Sequence, residues 1–332
     1  MRERFQSAFI VALLFLSSTV AMSQTLYVDE QFGFSLTSGV VFASKPAGTP
    51  VVNIDLELEL YEPSGAGVPE NRPAIILIHG GGFTGGTRFN ARLIAMCERM
   101  ARRGYSCVSI DYRVLGDGPV VDTAFQPIDD LFSALVPGDP RGPAVAAAVE
   151  DGWAAYEWLV SNAGSLNIDI NRVGVGGSSA GAFTALYMGY GLEELAVAPA
   201  NTFSVVFDMW GGFIGPETYI SGTDAPLLIT HGDADATVPV AAAEALVDIA
   251  TDTGLIFESH ILSGVGHGYD IFNVLVTPTE TMFDRVVAFF GEHLAGNKDT
   301  ALNTPLLPWF AKAAMMLLIL LIAIRSLILK RE

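Results

Sequence analysis

Cysteine and positive charge are what this chain has least of. Its 332 residues include two cysteines, Cys97 and Cys107, and neither has a metal-ligand pattern around it, so no thiolate metal site is written into the sequence. Lys and Arg number 18 against 36 Asp and Glu, a formal net charge of −18 at pH 7. Arg2, Arg4, Lys312, Arg325, Lys330 and Arg331 stand near the two ends, whereas only Glu3 and Glu332 of the acids do, which leaves the middle more acidic still. Such a surface repels phosphate backbones and excludes nucleic acid as a partner. Internal repeats and low-complexity blocks are also missing. A repeat architecture therefore has no support.

What the chain does have is apolar substance, 51% of its residues, enough for one large α/β domain with a full core. Arg2 and Arg4, the apolar run Ala8 to Val20 and the small residues of Ala21-Met22-Ser23 read as a signal peptide over 1–23, the rival being an uncleaved signal anchor. A catalytic domain over 24–297 follows. Residues 298–332 read as a linker and a C-terminal transmembrane or sorting tail. The charge-free stretch Ala313 to Ile324 reaches only about 18 Å as a helix, but Pro308 to Leu329 reaches about 33 Å, with Lys312 and Arg325 placed to snorkel. The expected setting is exported, in the periplasm or at the cell surface, anchored to the membrane by this tail. There Cys97 and Cys107 could form a short bridge, provided their Cα atoms come within bonding range.

Val52 to Leu60 alternates apolar and polar residues with period two, as a half-buried edge or antiparallel strand does, after an N-terminal stretch that reads as irregular. Ala74-Ile75-Ile76-Leu77-Ile78 is wholly apolar, the mark of a strand covered on both faces. Similar runs recur at Cys107 to Ile110, Arg172 to Val175, Ser204 to Phe207 and Pro226 to Thr230, with helical segments such as Asn90–Arg103 and Ala144–Ser161 between most of them. A last strand near Phe257–Leu262 and a helix near Glu280–Leu294 close the domain. This alternation predicts an α/β fold with a mainly parallel central sheet flanked by helices.

Four motifs sit at the C-terminal ends of these strands. Gly177-Ser178-Ser179-Ala180-Gly181 lies between a strand and a helix, the elbow on which a serine hydroxyl is pushed out of a sheet, and makes Ser179 the candidate nucleophile. His79-Gly80-Gly81-Gly82-Phe83 follows a strand with bare backbone N–H groups where an oxyanion would form. The same glycines also match the dinucleotide fingerprint, with Asp111 ending the next strand, but no helix opens right after them. His231-Gly232-Asp233-Ala234-Asp235 offers a carboxylate to orient a histidine, or a solvated acidic turn. Gly264-Val265-Gly266-His267-Gly268 puts His267 on a loop as candidate general base, whereas His260 and His293 fit a strand and a terminal helix.

With these motifs in the order Ser, Asp, His, the chain resembles the α/β-hydrolases, specifically the esterase and lipase group with the His-Gly-Gly-Gly motif. The resemblance spans Val52 to Leu294 and includes Asp111-Tyr112-Arg113, Glu150-Asp151 and Asp169 to Arg172. It implies the triad Ser179, Asp235 (rather than Asp233) and His267, with an oxyanion hole from Gly81, Gly82 and Ala180. It also implies a serine carboxylic-ester hydrolase working without metal or organic cofactor on a small or medium ester. A tethered, non-catalytic module of the same fold is the alternative. Two departures stand out. Ser178 replaces the acid or histidine that many relatives carry, and residues 115–143 form an insertion in which Ile128, Leu131, Phe132 and Leu135 recur at helical spacing behind Pro127, as in a short lid helix or a helix packed on the core.

Overall fold

Strand β3 (Arg72–Ile78) is buried along its whole length, and the molecule is built outward from it. The computed structural model describes residues 25–296; the expected leader and the expected membrane tail lie outside the described residues. Among the described residues no helix is long and apolar enough to cross a membrane. Ala74, Ile76 and Ile78 point into one apolar layer and Ile75 and Leu77 into the other, which is why the run shows no period in the sequence. Each isoleucine or leucine so buried contributes about 1.5–3 kcal/mol of transfer free energy.

Around β3 lies one eight-stranded sheet. It joins β1 (Gly33–Ala47), β2 (Val52–Ser64), β4 (Ser106–Ile110), β3, β5 (Ile168–Ser178), β6 (Val205–Met209), β7 (Leu227–Gly232) and β8 (Phe257–Leu262), in that spatial order. From β4 through β8 every pairing is parallel, and only β2 runs against its neighbours. Helices α1 (Ala91–Ala101) and α6 (Met282–His293) cover one face. Helices α2 (Gln126–Leu135), α3 (Gly142–Leu166), α4 (Ala180–Tyr190) and α5 (Ala241–Thr253) cover the other. The fold class expected from the sequence is the one observed.

One segment differs from expectation. The stretch before Val52, read as irregular, forms β1, a 15-residue strand paired with β2 from Gly33↔Ser64 to Ala47↔Val52. Most of its side chains are exposed, and its register shifts twice, between Thr37 and Val40 and between Val41 and Ala43. Phe42 and Ala47 are buried and Phe34, Val40 and Ala43 pack against the core, but the two register shifts break any sustained apolar alternation along the strand. The bulges also twist this open edge away from flat pairing with other chains.

Two covalent and ionic ties hold the layers. Cys97 on α1 is bonded to Cys107 on β4, with their Cα atoms 5.1 Å apart. A bridge over so short a loop stabilises typically by about 2–4 kcal/mol, mainly by restricting the unfolded chain. On the other face the Arg113 guanidinium is fully buried and donates to Asp151, to Glu150 and to the carbonyls of Pro46 and Val120 at 2.8–3.0 Å. It thereby joins the end of β1, the insertion and α3. Within the insertion, α2 buries Ile128 and Phe132 against the core and leaves Leu135 exposed, so the expected amphipathic helix is present and is packed down on α3.

Removing the Arg113 charge leaves two buried carboxylates short of their partner. Arg113→Leu should destabilise by about 3–5 kcal/mol, and adding Asp151→Leu should recover part of that loss. Urea midpoints of the two variants give the check. A single variant as stable as the parent would show that the network carries no net structural role.

Candidate active site

The chain runs from β3 through α1 to β4 on one side of β3, and then through α3 to β5 on the other. Between β3 and β5 the direction of winding therefore reverses, and the crevice above their C-terminal ends is where ligands of such sheets bind. The His79–Gly82 loop leaves β3 there, and Ser179 follows directly on β5.

Ser179 occupies the turn between β5 and α4 with φ 54° and ψ −120°, a conformation that costs a non-glycine residue about 1–3 kcal/mol and is tolerated only where the surroundings enforce it. The enforcement is visible. A Cβ on Gly177 would lie 2.2 Å from Gly181 O, and one on Gly181 would lie 2.1 Å from Ile78 O. The helix thus starts in backbone contact with β5 and the end of β3, and only glycine at both positions allows it. The Ser179 N–H donates to Met209 O at 2.9 Å, which fixes the elbow to β6.

The loop after β3 folds tightly back on itself. Gly81 has φ +127°, and a Cβ on it would collide with Gly85 O at 1.9 Å. His79 is buried beneath, stacked on Tyr112 at 4.3 Å, and donates from Nδ1 to Gly80 O at 2.6 Å. Burial holds the His79 imidazole below its usual pKa, so it stays neutral and serves as a brace. The backbone N–H groups of Gly81, Gly82 and Ala180 have no acceptor among the described residues. Asp111, the acid of the competing dinucleotide reading, is taken up by Arg88, which also pairs with Glu57 and Glu59.

Past β7, Asp235 is buried and accepts from Thr237 N–H and Val238 N–H at 2.8 and 2.9 Å on one oxygen and from His267 Nδ1 at 2.6 Å on the other. Burial alone would raise its pKa, but the hydrogen bonds from His267 and the two N–H groups outweigh that and hold the carboxyl below its usual range. An ionised Asp235 only accepts, so Nδ1 of His267 carries the proton. That leaves Nε2 of His267 to face Ser179 Oγ, 3.0 Å away. The structure thus brings Ser179, Asp235 and His267 together in one line of hydrogen bonds. Asp233, the alternative acid, instead accepts from Gly264 N–H at 2.6 Å and pins the loop that carries His267.

Three nearby residues carry no signal in the sequence. His231 is buried, donates to Val238 O at 2.9 Å and stands 3.4 Å from Asp235 Oδ2. Trp210 lies edge-on to His267 at 6.3 Å and to Tyr269 at 4.5 Å. Asp208, at the end of β6, is fully buried with one oxygen accepting from Gly211 N–H at 2.9 Å and the other unpartnered among the described residues. Burial pushes its carboxyl up to about 7. Only a buried acid on a short apolar strand hints at it, and any core aspartate would look the same.

The sheet order and the glycine-bound elbow define an α/β-hydrolase. Known proteins agree. A family model described as alpha/beta hydrolase fold matches residues 142–203, and one described as BD-FAE matches residues 58–131. An AB hydrolase superfamily protein of Schizosaccharomyces pombe is 29% identical over 160 residues, 47% of this chain and 35% of that protein. Carboxylesterase NlhH of Mycobacterium tuberculosis is 23% identical over 174 residues, 52% of this chain and 46% of that enzyme. The matched part of the chain thus spans under half the length of these curated relatives. Among solved structures, a thermophilic esterase of Thermogutta terrifontis with propionate bound superposes with a TM-score of 0.56 at 22% identity, over 80% of this chain and 94% of that one. The apo form of esterase 2 from the same organism gives 0.55 at 22% identity, over 82% and 97%. The chain therefore has the α/β-hydrolase fold, and over part of its length it is similar to esterases of that fold.

Asp208 makes stability depend on pH with a definite sign. Its folded pKa of about 7 exceeds the unfolded value of about 3.9, so between these the native state keeps a proton that the unfolded chain has released. Stability from this group is complete below the unfolded pKa and is lost as pH rises through the folded one, by up to about 1.4 kcal/mol per pH unit. Urea midpoints of Asp208→Asn, measured from pH 5 to 8, should gain on those of the parent up to about pH 7 and then run level with the difference reached. Parallel curves would refute this assignment.

Proposed function

We propose that the chain is a serine carboxylic-ester hydrolase that works through an acyl-enzyme. The observation that carries this reading is the unbroken line Asp235 to His267 to Ser179, at 2.6 and 3.0 Å, beside three uncommitted N–H groups. In the proposed cycle Ser179 Oγ attacks the ester carbonyl carbon as its proton passes to Nε2 of His267. The oxyanion is received by the N–H groups of Gly81, Gly82 and Ala180, donors whose individual loss typically costs about 10²–10³ in rate. Asp235 stabilises the imidazolium and keeps its ring in register. Nε2 then returns the proton to the departing alkoxide, and the alcohol leaves. Water, deprotonated by His267, attacks the acyl-serine, the carboxylic acid departs and Ser179 recovers its proton. Every bond made and broken is supplied by these residues, the ester and one water. The esterase names of the relatives support the choice of an ester over other acyl substrates.

The exported location is part of the same proposal and rests on the apolar leader over 1–23 and on the Cys97–Cys107 bridge, which suits an oxidising compartment. The membrane anchor over 298–332 rests on the sequence of that tail. Fractionation of cells expressing the full chain and a version ending at Asn297 distinguishes anchor from no anchor. Equal solubility with an unprocessed tail would refute it.

Ser179→Ala should abolish hydrolysis of short chromogenic esters and labelling by a fluorophosphonate while keeping the parent's urea midpoint. Ser178→Ala should retain much of the activity, because the neighbouring hydroxyl is not in line with His267. Parent protein that takes no label would favour a non-catalytic module, and activity surviving in Ser179→Ala would remove the proposed nucleophile.

A further inference from the structure

Arg92 departs from the electrostatic pattern of this domain in two ways, and it does so at the rim of the site. It is the second residue of α1, where the helix dipole opposes a positive charge by about 0.3–1 kcal/mol, and the first turn of α1 contains no acid to offset it. Every other Lys or Arg among the described residues either pairs with a carboxylate or, as Arg99 and Arg102 do, lies over an aromatic ring. Arg92 is exposed and has neither. In a chain with 36 acids, a cation left unpaired in an unfavourable position gains nothing for the fold.

Its position is specific. Nη1 of Arg92 lies 4.0 Å from where a side chain on Gly268 would begin, and Gly268 directly follows His267. Seven residues on, Arg99 projects from the same face of α1 and lies 4.5 Å over Phe272, so this face of the helix runs along the segment that carries His267. A second guanidinium, Arg141, approaches the opposite side of the site at Gly82 O, 3.4 Å away, but Asp139 grips it through two oxygens and cancels its charge. Of the two, only Arg92 presents free positive charge.

Resting on the ester-hydrolase reading, we propose that Arg92 receives a carboxylate of the substrate, so that the chain favours esters bearing a negative charge near the bond it cleaves. The planar guanidinium fork matches a carboxylate, whereas the overall field of so acidic a domain repels one. A local unpaired cation is how such a substrate is held.

Three esters provide the test: phenyl acetate, 4-carboxyphenyl acetate with the charge on the alcohol part, and monophenyl succinate with the charge on the acyl part. For one of the charged esters, its kcat/KM relative to phenyl acetate should fall about tenfold in Arg92→Ala, a loss typical of one charge-assisted contact at an open site. The loss should appear in KM. Arg92→Lys should keep part of the preference, and about 0.5 M salt should erode it in the parent but not in Arg92→Ala. Unchanged ratios for both charged esters, with phenyl acetate still hydrolysed, overturn the role of Arg92 alone. Failure of the parent to hydrolyse any of the three or to take a fluorophosphonate overturns the ester reading beneath it.

Discussion

The approach of α4 to the end of β3 is the constraint on which the site depends. Because Gly181 presents no side chain to Ile78 O and Gly177 presents none to Gly181 O, the helix starts on top of the sheet with its backbone in contact. That contact forces Ser179 to φ 54° and raises its hydroxyl above the strand ends. The same approach sets Ala180 N–H beside the loop that leaves β3, so the proposed nucleophile and the proposed oxyanion donors share one origin. A single methyl group at either glycine would push the helix outward and separate them.

Around this elbow, the carboxyl groups take different electrostatic roles because their surroundings differ. Asp235 and Asp208 both lie buried near strand ends of the same sheet. Three donors converge on Asp235 and keep it ionised, so it can hold the His267 ring. One donor reaches Asp208, and burial wins. The contrast comes from the deeper burial of Asp208 together with the number of donors, two of which Asp235 obtains from the turn it begins itself. Asp233 is spent in a third way, on Gly264 N–H, which ties the loop after β7 to the loop after β8.

Two arginines link the insertion to its surroundings. Arg113 ties Val120 to α3, and Arg141, with its guanidinium above Phe132 of α2, reaches the carbonyl of Gly82. Arg141 thus touches both α2 and the glycine loop.

The sequence by itself determined the order of elements, the parallel core and the elbow, because those features depend on local pattern: unbroken apolar runs for doubly covered strands, and glycines around one serine for a tight turn. It also placed Ser179, Asp235 and His267 on three strand ends. Only the tertiary structure decided that β1 is a strand, since two register shifts break its apolar period and a ladder of backbone bonds to β2 defines it. It also decided that Cys97 and Cys107 meet, that His231 and Trp210 lie beside the Asp235–His267–Ser179 line and that Arg92 stands beside Gly268 with no carboxylate partner among the described residues. These facts are distances between residues far apart in the chain, and a one-dimensional pattern records a residue's own preference for burial or turn but not the neighbour that folding brings to it.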